Sequence, residues 1–184
     1  KVVVGTTMFS AASLRTIGNS AFPSLVTADN FFSGCQALVA WPSAYPRLTS
    51  AANMFNGCIV ISELDLDLPV IVVISGLATG NSTLKKLRLQ NTSNATNAAL
   101  FVNNSTFLQS IEMDATRINT ISGMPTIGLL RKVILTGLRY SVTVSAGTNV
   151  GQMTPAALDA LYTSLGTAYT NAQVVTVTNN RGVD

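Results

Sequence analysis

The sequence predicts an α/β solenoid of stacked units, with a parallel β-sheet on one face and short helical or irregular segments on the other. The main observation is a recurring pattern, apolar-x-x-apolar-x-apolar. Its copies return at a nearly constant spacing and begin at Leu14, Leu38, Ile61, Leu84, Leu108 and Leu130, the first two without the third apolar residue. The second observation is composition, since 47% of the 184 residues are hydrophobic and only 10% are charged. Such a chain has ample apolar surface to bury and is not expected to be disordered.

The second half of each pattern alternates apolar and polar residues, which favours a short strand. Leu64, Leu87 and Ile111 hold the same position in three successive units. We therefore expect them to lie side by side in parallel strands. A single unit cannot bury its apolar side, so stacking must create one continuous core.

The other half of each unit carries an apolar residue six positions before the first residue of the pattern. These residues are Met8, Phe32, Phe55, Ala78, Val102 and Met124. A further small or apolar residue follows three positions later, and this spacing favours a short helical or 3₁₀ segment facing the core. Proline, glycine and asparagine in the links predict turns.

The chain is expected to form one domain over 1–184. Six regular units span 8–136, and a longer unit spans 137–184. The longer unit should contain a strand within 140–149, a helix over 155–165 and a last strand at 173–179. Thr154 is the expected N-cap of that helix. Because the sequence starts with lysine, we expect it to be a piece of a longer chain.

Cys35 and Cys58 lie one repeat apart, so their backbones should be close enough for a disulfide. The alternative is two free thiols that fill the same small niche in consecutive units. Other units place Asn81 or Ser105 there, which favours free thiols. With no histidine in the chain, no metal site and no cofactor are predicted.

Side chains between the inward apolar positions should point out of the sheet. Their charges alternate from strand to strand, and the candidate binding residues are Glu63, Asp65, Lys86, Arg88, Glu112, Asp114 and Lys132. Two interpretations remain open. Opposite charges on neighbouring strands stabilise an exposed sheet by roughly 0.2–1 kcal/mol each, or the face binds a glycan or another protein. Tyr45, Tyr140 and Tyr169 are expected in loops, on the surface.

Catalysis is not predicted, and no catalytic residues are assigned. The usual triads need a histidine. The few carboxylates leave an acid pair possible on paper, but their placement on an alternating face favours charge pairing. Net charge is +3 and the 11 Lys and Arg residues are scattered, so no nucleic-acid partner is expected. The longest apolar run, 68–78, is too short to cross a bilayer, which needs about 20 residues.

The segments 25-LVTADNFFSGCQAL-38 and 54-MFNGCIVISELDL-66 resemble BspA-like leucine-rich repeats, whose units read MF-x-G-C-x-x-L-x-x-L-x-L. Ile61 replaces the first leucine, and later units such as 82-STLKKLRL-89 keep only the strand half. Residues 153–180 are similar to closing segments of such domains in tailed-phage fibre and other tail proteins. The resemblance implies a leucine-rich-repeat solenoid that serves adhesion or recognition without catalytic residues.

The expected function is therefore a non-catalytic structural or recognition domain of a phage virion, in a tail fibre or related appendage. The expected partners are a host surface receptor or glycan, other virion subunits and further copies of the chain, for example in a trimer. The alternative is a bacterial cell-surface adhesin with the same repeat. An enzyme that acts on surface polysaccharide is the least favoured hypothesis.

Overall fold

The described part of the chain is built from short parallel strands. The structure, a computed structural model, describes residues 3–18, 22–99, 101–118, 121–124, 131–136, 142–146, 159, 162–163 and 175–178. These residues contain β1 Val3–Val4, β2 Leu25–Thr27, β3 Glu63–Asp67, β4 Lys86–Gln90, β5 Ser110–Asp114, β6 Ile121–Met124, β7 Lys132–Thr136, β8 Val142–Ala146 and β9 Val175–Thr178. Every pairing among them is parallel.

The largest sheet has four strands in the order β3-β4-β5-β7. Its register pairs Leu64 with Leu87, Leu87 with Ile111, and Ile111 with Val133. A second buried row runs parallel to the first through Leu66, Leu89, Met113 and Leu135. The prediction that Leu64, Leu87 and Ile111 lie side by side is confirmed.

A second line of parallel pairing runs through other parts of the same units. It includes the β1-β2 pair and the three-stranded sheet β6-β8-β9. Isolated bridges join Thr27 to Ser50, Ser50 to Val73, and Val73 to Asn97. Partners on this line from β1 to β8 are again one repeat apart along the chain, whereas those of β8 and β9 are separated by the longer last unit.

The segments between these two lines are consecutive β-turns rather than the predicted short helices. The N–H of Phe31 donates to Ala28 at 3.1 Å, and that of Cys35 donates to Phe32 at 3.0 Å. The third residues of these turns, Asn30 and Gly34, have φ values of 56° and 73°. Type II turns require this left-handed conformation, which a continuing helix excludes.

The turn segments also bond to one another between neighbouring units. Alternate N–H groups donate to carbonyl oxygens of the next unit, as Phe32 does to Met54 at 2.9 Å and Gly34 to Asn56 at 2.7 Å. The same pattern continues with Phe55 to Leu77 and Ala78 to Phe101. This ladder supplies partners for buried backbone groups that the turns alone would leave unpaired.

The core lies between the four-stranded sheet and the turns. Phe32, Phe55, Ala78 and Val102 are fully buried, as their position in the repeat predicts. Met8, at the same position, is 60% exposed, because the first unit has a neighbour on one side only among the described residues. The Met124 side chain lies outside the described part.

The strand half of the first two units is reduced to isolated bridges, Thr16 to Ala40 and Ala44 to Asp67. Pro42 occupies the position that corresponds to Asp65 one repeat later. Proline has no N–H to donate, so it weakens a strand pairing at this point. Sequence periodicity alone therefore overestimated the strand content at this end.

The C-terminal predictions are tested only in part. The strand expected within 140–149 is confirmed as β8, and the one expected at 173–179 as β9. Asp159, Tyr162 and Thr163 are helical, while most of the predicted helix lies outside the described residues. Among the residues that the structure describes, no helix has the length and apolar character to cross a bilayer.

Tyr45 is fully buried, which corrects its expected place on the surface. It aligns with Phe22 one repeat earlier and Leu68 one repeat later, so it belongs to an inward column. Tyr140 and Tyr169 lie outside the described residues. The Tyr45 hydroxyl has no hydrogen-bond partner among the described residues.

Tyr45→Phe should raise the free energy of unfolding by about 1 kcal/mol, because it removes a buried hydroxyl that lacks a partner. Urea unfolding of the two proteins measures the difference. A loss of stability in Tyr45→Phe would show that the hydroxyl is well paired in solution.

Candidate binding face

The outward side chains of β3, β4, β5 and β7 form one continuous surface, which we call the outer face. The strands pair in register, so equivalent outward residues form rows that cross the sheet. The central row consists of Asp65, Arg88, Glu112 and Ile134. The sequence places each of these residues between two buried ones, which is why they face away from the core.

Four of the seven predicted residues form an ion-pair ladder across this face. The Arg88 guanidinium lies 3.6 Å from an Asp65 carboxylate oxygen and 3.7 Å from a Glu112 oxygen. The Lys132 ammonium pairs with the other Glu112 oxygen. Glu112 is the least exposed of the four, at 23%, because cations lie on both sides of it.

The other three predicted residues do not join the ladder. Glu63 and Lys86 lie opposite each other in register, yet they form no ion pair within the described residues. The Asp114 carboxylate accepts hydrogen bonds from the Thr116 N–H at 2.9 Å and from the Thr116 hydroxyl at 2.6 Å. Asp114 therefore fixes the turn that follows β5.

Amide side chains extend the polar network toward the carboxyl ends of the strands. The Gln90 amide donates to Asp65 at 2.7 Å, and the Asn91 amide donates to Asp67 at 2.7 Å. Neither amide is among the predicted binding residues. Their position directly after Arg88 and Leu89 at the strand end was the available signal.

A shallow open depression of about 320 Å³ lies on the outer face, toward the carboxyl ends of β4, β5 and β7. Three predicted residues, Arg88, Glu112 and Asp114, line it. The remaining lining residues include Gln90 and Asn91. Charged and amide groups at an open surface can hydrogen-bond to a polar ligand, and the depression can accommodate part of that ligand.

Behind the sheet, the niche of Cys35 and Cys58 is a hydrogen-bonding position. The Cys35 thiol donates to the Phe9 carbonyl at 2.8 Å, and the Cys58 thiol donates to the Phe32 carbonyl at 3.1 Å. Ser105 repeats this contact with the Ala78 carbonyl at 2.8 Å. Both thiols are free and buried. Asn81 holds the same position, yet its side-chain amide has no hydrogen-bond partner among the described residues, so the niche accepts a side chain with or without this bond.

In the described part of the chain, no three Cys, Asp or Glu side chains lie close enough together to hold a metal ion. The outer face instead offers alternating cations and anions, with amides at one end. This arrangement suits hydrogen bonding and charge pairing with a partner laid across the sheet.

No protein-family model, no curated protein and no solved structure matches this chain. The resemblance to BspA-like repeats therefore stays a prediction, based on the residues quoted for it. Inferences about function depend on the geometry of the outer face.

Arg88→Glu should destabilise the protein by about 1 kcal/mol at low salt, because it places a third anion between Asp65 and Glu112. Arg88 is 45% exposed, so solvent screening keeps the effect small. The loss should shrink at high salt. Urea unfolding at two salt concentrations measures it.

Arg47→Glu is the matched control, since Arg47 is an exposed residue in the turn of Tyr45–Leu48, outside the sheet. It changes the net charge equally. Equal losses in the two variants would contradict a specific contribution from the ladder.

Stability should fall under alkaline conditions because of the buried thiols. Burial, with a smaller effect of the nearby Cys35, raises the pKa of the Cys58 thiol from 9.0 to about 12. Between these values the unfolded chain loses the proton and the folded chain keeps it. The stability that the buried, protonated Cys58 thiol contributes is therefore fully present below pH 9.0 and is lost as the pH rises from 9.0 to about 12.

Cys58→Ser should flatten this decline, because serine keeps a hydroxyl donor but does not ionise in the window. Burial also raises the pKa of Tyr45, so the comparison is made in a Tyr45→Phe background. Unfolding is followed as a function of pH. Superimposable pH profiles for the two proteins would refute the assignment to Cys58.

Proposed function

We propose that the chain is a leucine-rich-repeat solenoid that serves as a non-catalytic recognition domain of a phage virion, in a tail fibre or related appendage. The proposal for the architecture is supported by the two lines of parallel pairing and by the ladder of turns. Both lines of pairing and the ladder of turns recur at the same spacing as the apolar pattern in the sequence. Stacked units of this kind present extended surfaces that bind partners.

The observation that carries the functional proposal is the outer face itself. Five-residue strands present charged and amide side chains in rows, and the depression beside them is shallow. A shallow polar surface favours many weak contacts over the enclosure of a small substrate. Several copies on one particle would multiply those contacts into firm attachment.

The test is the location of the protein and its effect on adsorption. Antibodies against the chain should label the tail appendages of phage particles by immunogold microscopy, and the purified protein should slow adsorption of the phage to its host. Labelling of the bacterial envelope in the absence of phage would favour the cell-surface adhesin instead. Labelling of neither structure would reject both.

A further inference from the structure

The charges of the outer face are segregated along the strand direction. Lys86 begins β4 and Lys85 directly precedes it, and Lys132 begins β7 and Arg131 directly precedes it. The row at the opposite end of the sheet contains Asp67 and Asp114 in register with Gln90 and Thr136. The first edge, which we call the cationic edge, holds these four cations and one carboxylate, that of Glu63 in register with Lys86, and the opposite edge is acidic.

Most cations of the cationic edge form no ion pair among the described residues. Lys132 pairs with Glu112, which belongs to the central row. Lys85, Lys86 and Arg131 form no ion pair with any residue that the structure describes. Glu63 offsets part of this charge through its position beside Lys86, but a net positive charge remains at the edge and attracts an anion from solution.

The spacing of these cations favours a polymer with separated charges. The strands β4 and β7 both flank β5, so the two cation pairs lie about 10 Å apart. Between them, β5 begins with the neutral polar residues Gln109 and Ser110. This order of cation, neutral donor and cation suits a polymer whose acidic groups can lie about 10 Å apart, with a hydroxyl or other neutral group between them.

An exposed aromatic ring borders the same edge. Phe107 is 53% exposed and precedes Gln109 by two residues. Its equivalent in the preceding unit is Thr83, and Thr83 is used to bond carbonyl oxygens of Ile59 and Ile61. A phenyl ring of this size at the surface offers an apolar plane on which the C–H face of a sugar ring can pack.

We propose that this edge, formed by Lys85, Lys86, Gln109, Ser110, Arg131 and Lys132, binds an acidic polysaccharide that carries carboxylate or sulfate groups. The assignment deepens the proposed recognition function and rests on it. Duplex DNA fits the edge less well, since its charges follow every ~1.7 Å along the axis and two separated cation pairs neutralise few of them.

The experiment measures binding of the chain to polygalacturonate and dextran sulfate, with uncharged dextran and duplex DNA as comparison probes. The chain should bind both acidic polysaccharides, more weakly as salt is added. The double variant Lys85→Gln/Arg131→Gln should lose about five- to tenfold in affinity. Phe107→Ala should weaken binding of polygalacturonate without changing the salt dependence.

The matched control is Arg47→Gln/Arg117→Gln. Both arginines are exposed and hold the third position of a turn that follows the strand half of a unit, and the net charge changes equally. Thermal unfolding confirms that each variant is folded. The inference is overturned if the control weakens binding as much, if DNA or dextran binds as tightly as polygalacturonate, or if neither acidic polysaccharide binds.

Failure of this inference differs from failure of the proposed function. A chain that binds host cells or neutral glycans but neither acidic polysaccharide removes only the ligand class. A chain that binds no cell and no glycan, and that labels no particle, removes the recognition function as well.

Discussion

Leu87→Ala should lower the free energy of unfolding by about 2–5 kcal/mol, the usual range for a buried leucine. Leu87 is fully buried in β4, and its register partners Leu64 and Ile111 flank it on both sides. Because β4 has a strand on either side, the cavity left by the missing atoms is walled by backbone that cannot collapse into it. Urea unfolding followed by circular dichroism measures the loss.

Arg88→Ala is the control, because the next residue on the same strand points to the outer face and is 45% exposed. We expect it to cost at most about 1 kcal/mol. Comparable losses in both variants would mean that burial on the inner face does not dominate stability, and the assignment of the core to this side would be wrong.

Gly5→Ala should lower the free energy of unfolding by about 1–3 kcal/mol through overpacking. A Cβ atom on Gly5 would lie 2.3 Å from Cε2 of Phe31 and 2.8 Å from its Cδ2. The Phe31 ring cannot move aside easily, since it contacts the rings of Phe9, Phe22 and Phe32 at centroid distances of 5.3, 5.1 and 4.8 Å.

Gly18→Ala provides the matched comparison, since a Cβ there meets nothing within 4 Å. Its thermal unfolding should be close to that of the parent protein. If Gly5→Ala also unfolds like the parent, the aromatic cluster is looser than the structure indicates.

The four-stranded sheet was predictable because its signal repeats. Each inward residue, such as Leu64 or Leu87, is apolar and alternates with a polar one, and only one register buries all of them together. The ion-pair ladder follows from that register, since it sets Arg88 between Asp65 and Glu112. The alternation of charge between strands predicts opposite charges on β5 and β7, but the diagonal pairing of Lys132 with Glu112, rather than with its register partner Ser110, depends on side-chain conformation.

Of the short helical or irregular segments that were predicted, the described residues form β-turns and not helices, because a spacing of three residues suits both a helix and a succession of β-turns. A better signal was present in the residues that tolerate positive φ. Asn30, Asn53 and Gly76 recur once in each repeat, and Gly34, Gly57 and Gly80 do the same four positions later. Glycine and asparagine favour the left-handed region, so two such columns predict turns.

The predicted burial of Met8 and the predicted surface position of Tyr45 were wrong for different reasons. Met8 follows the repeat but, among the described residues, has a neighbouring unit on one side only, and periodicity alone does not predict that. Tyr45 lies outside the strands, as expected, but it is buried rather than at the surface, and its alignment with Leu68 one repeat later is the signal that indicates burial.

The regular spacing between pairing partners also determines which insertions and deletions in the gene preserve the fold. Successive pairing partners are separated by one unit of sequence, so recombination that adds or removes one whole unit leaves every remaining residue opposite an equivalent one. Loss of a single codon inside a strand instead turns the following side chains to the wrong side. Lineages of this protein should therefore differ in length by whole units.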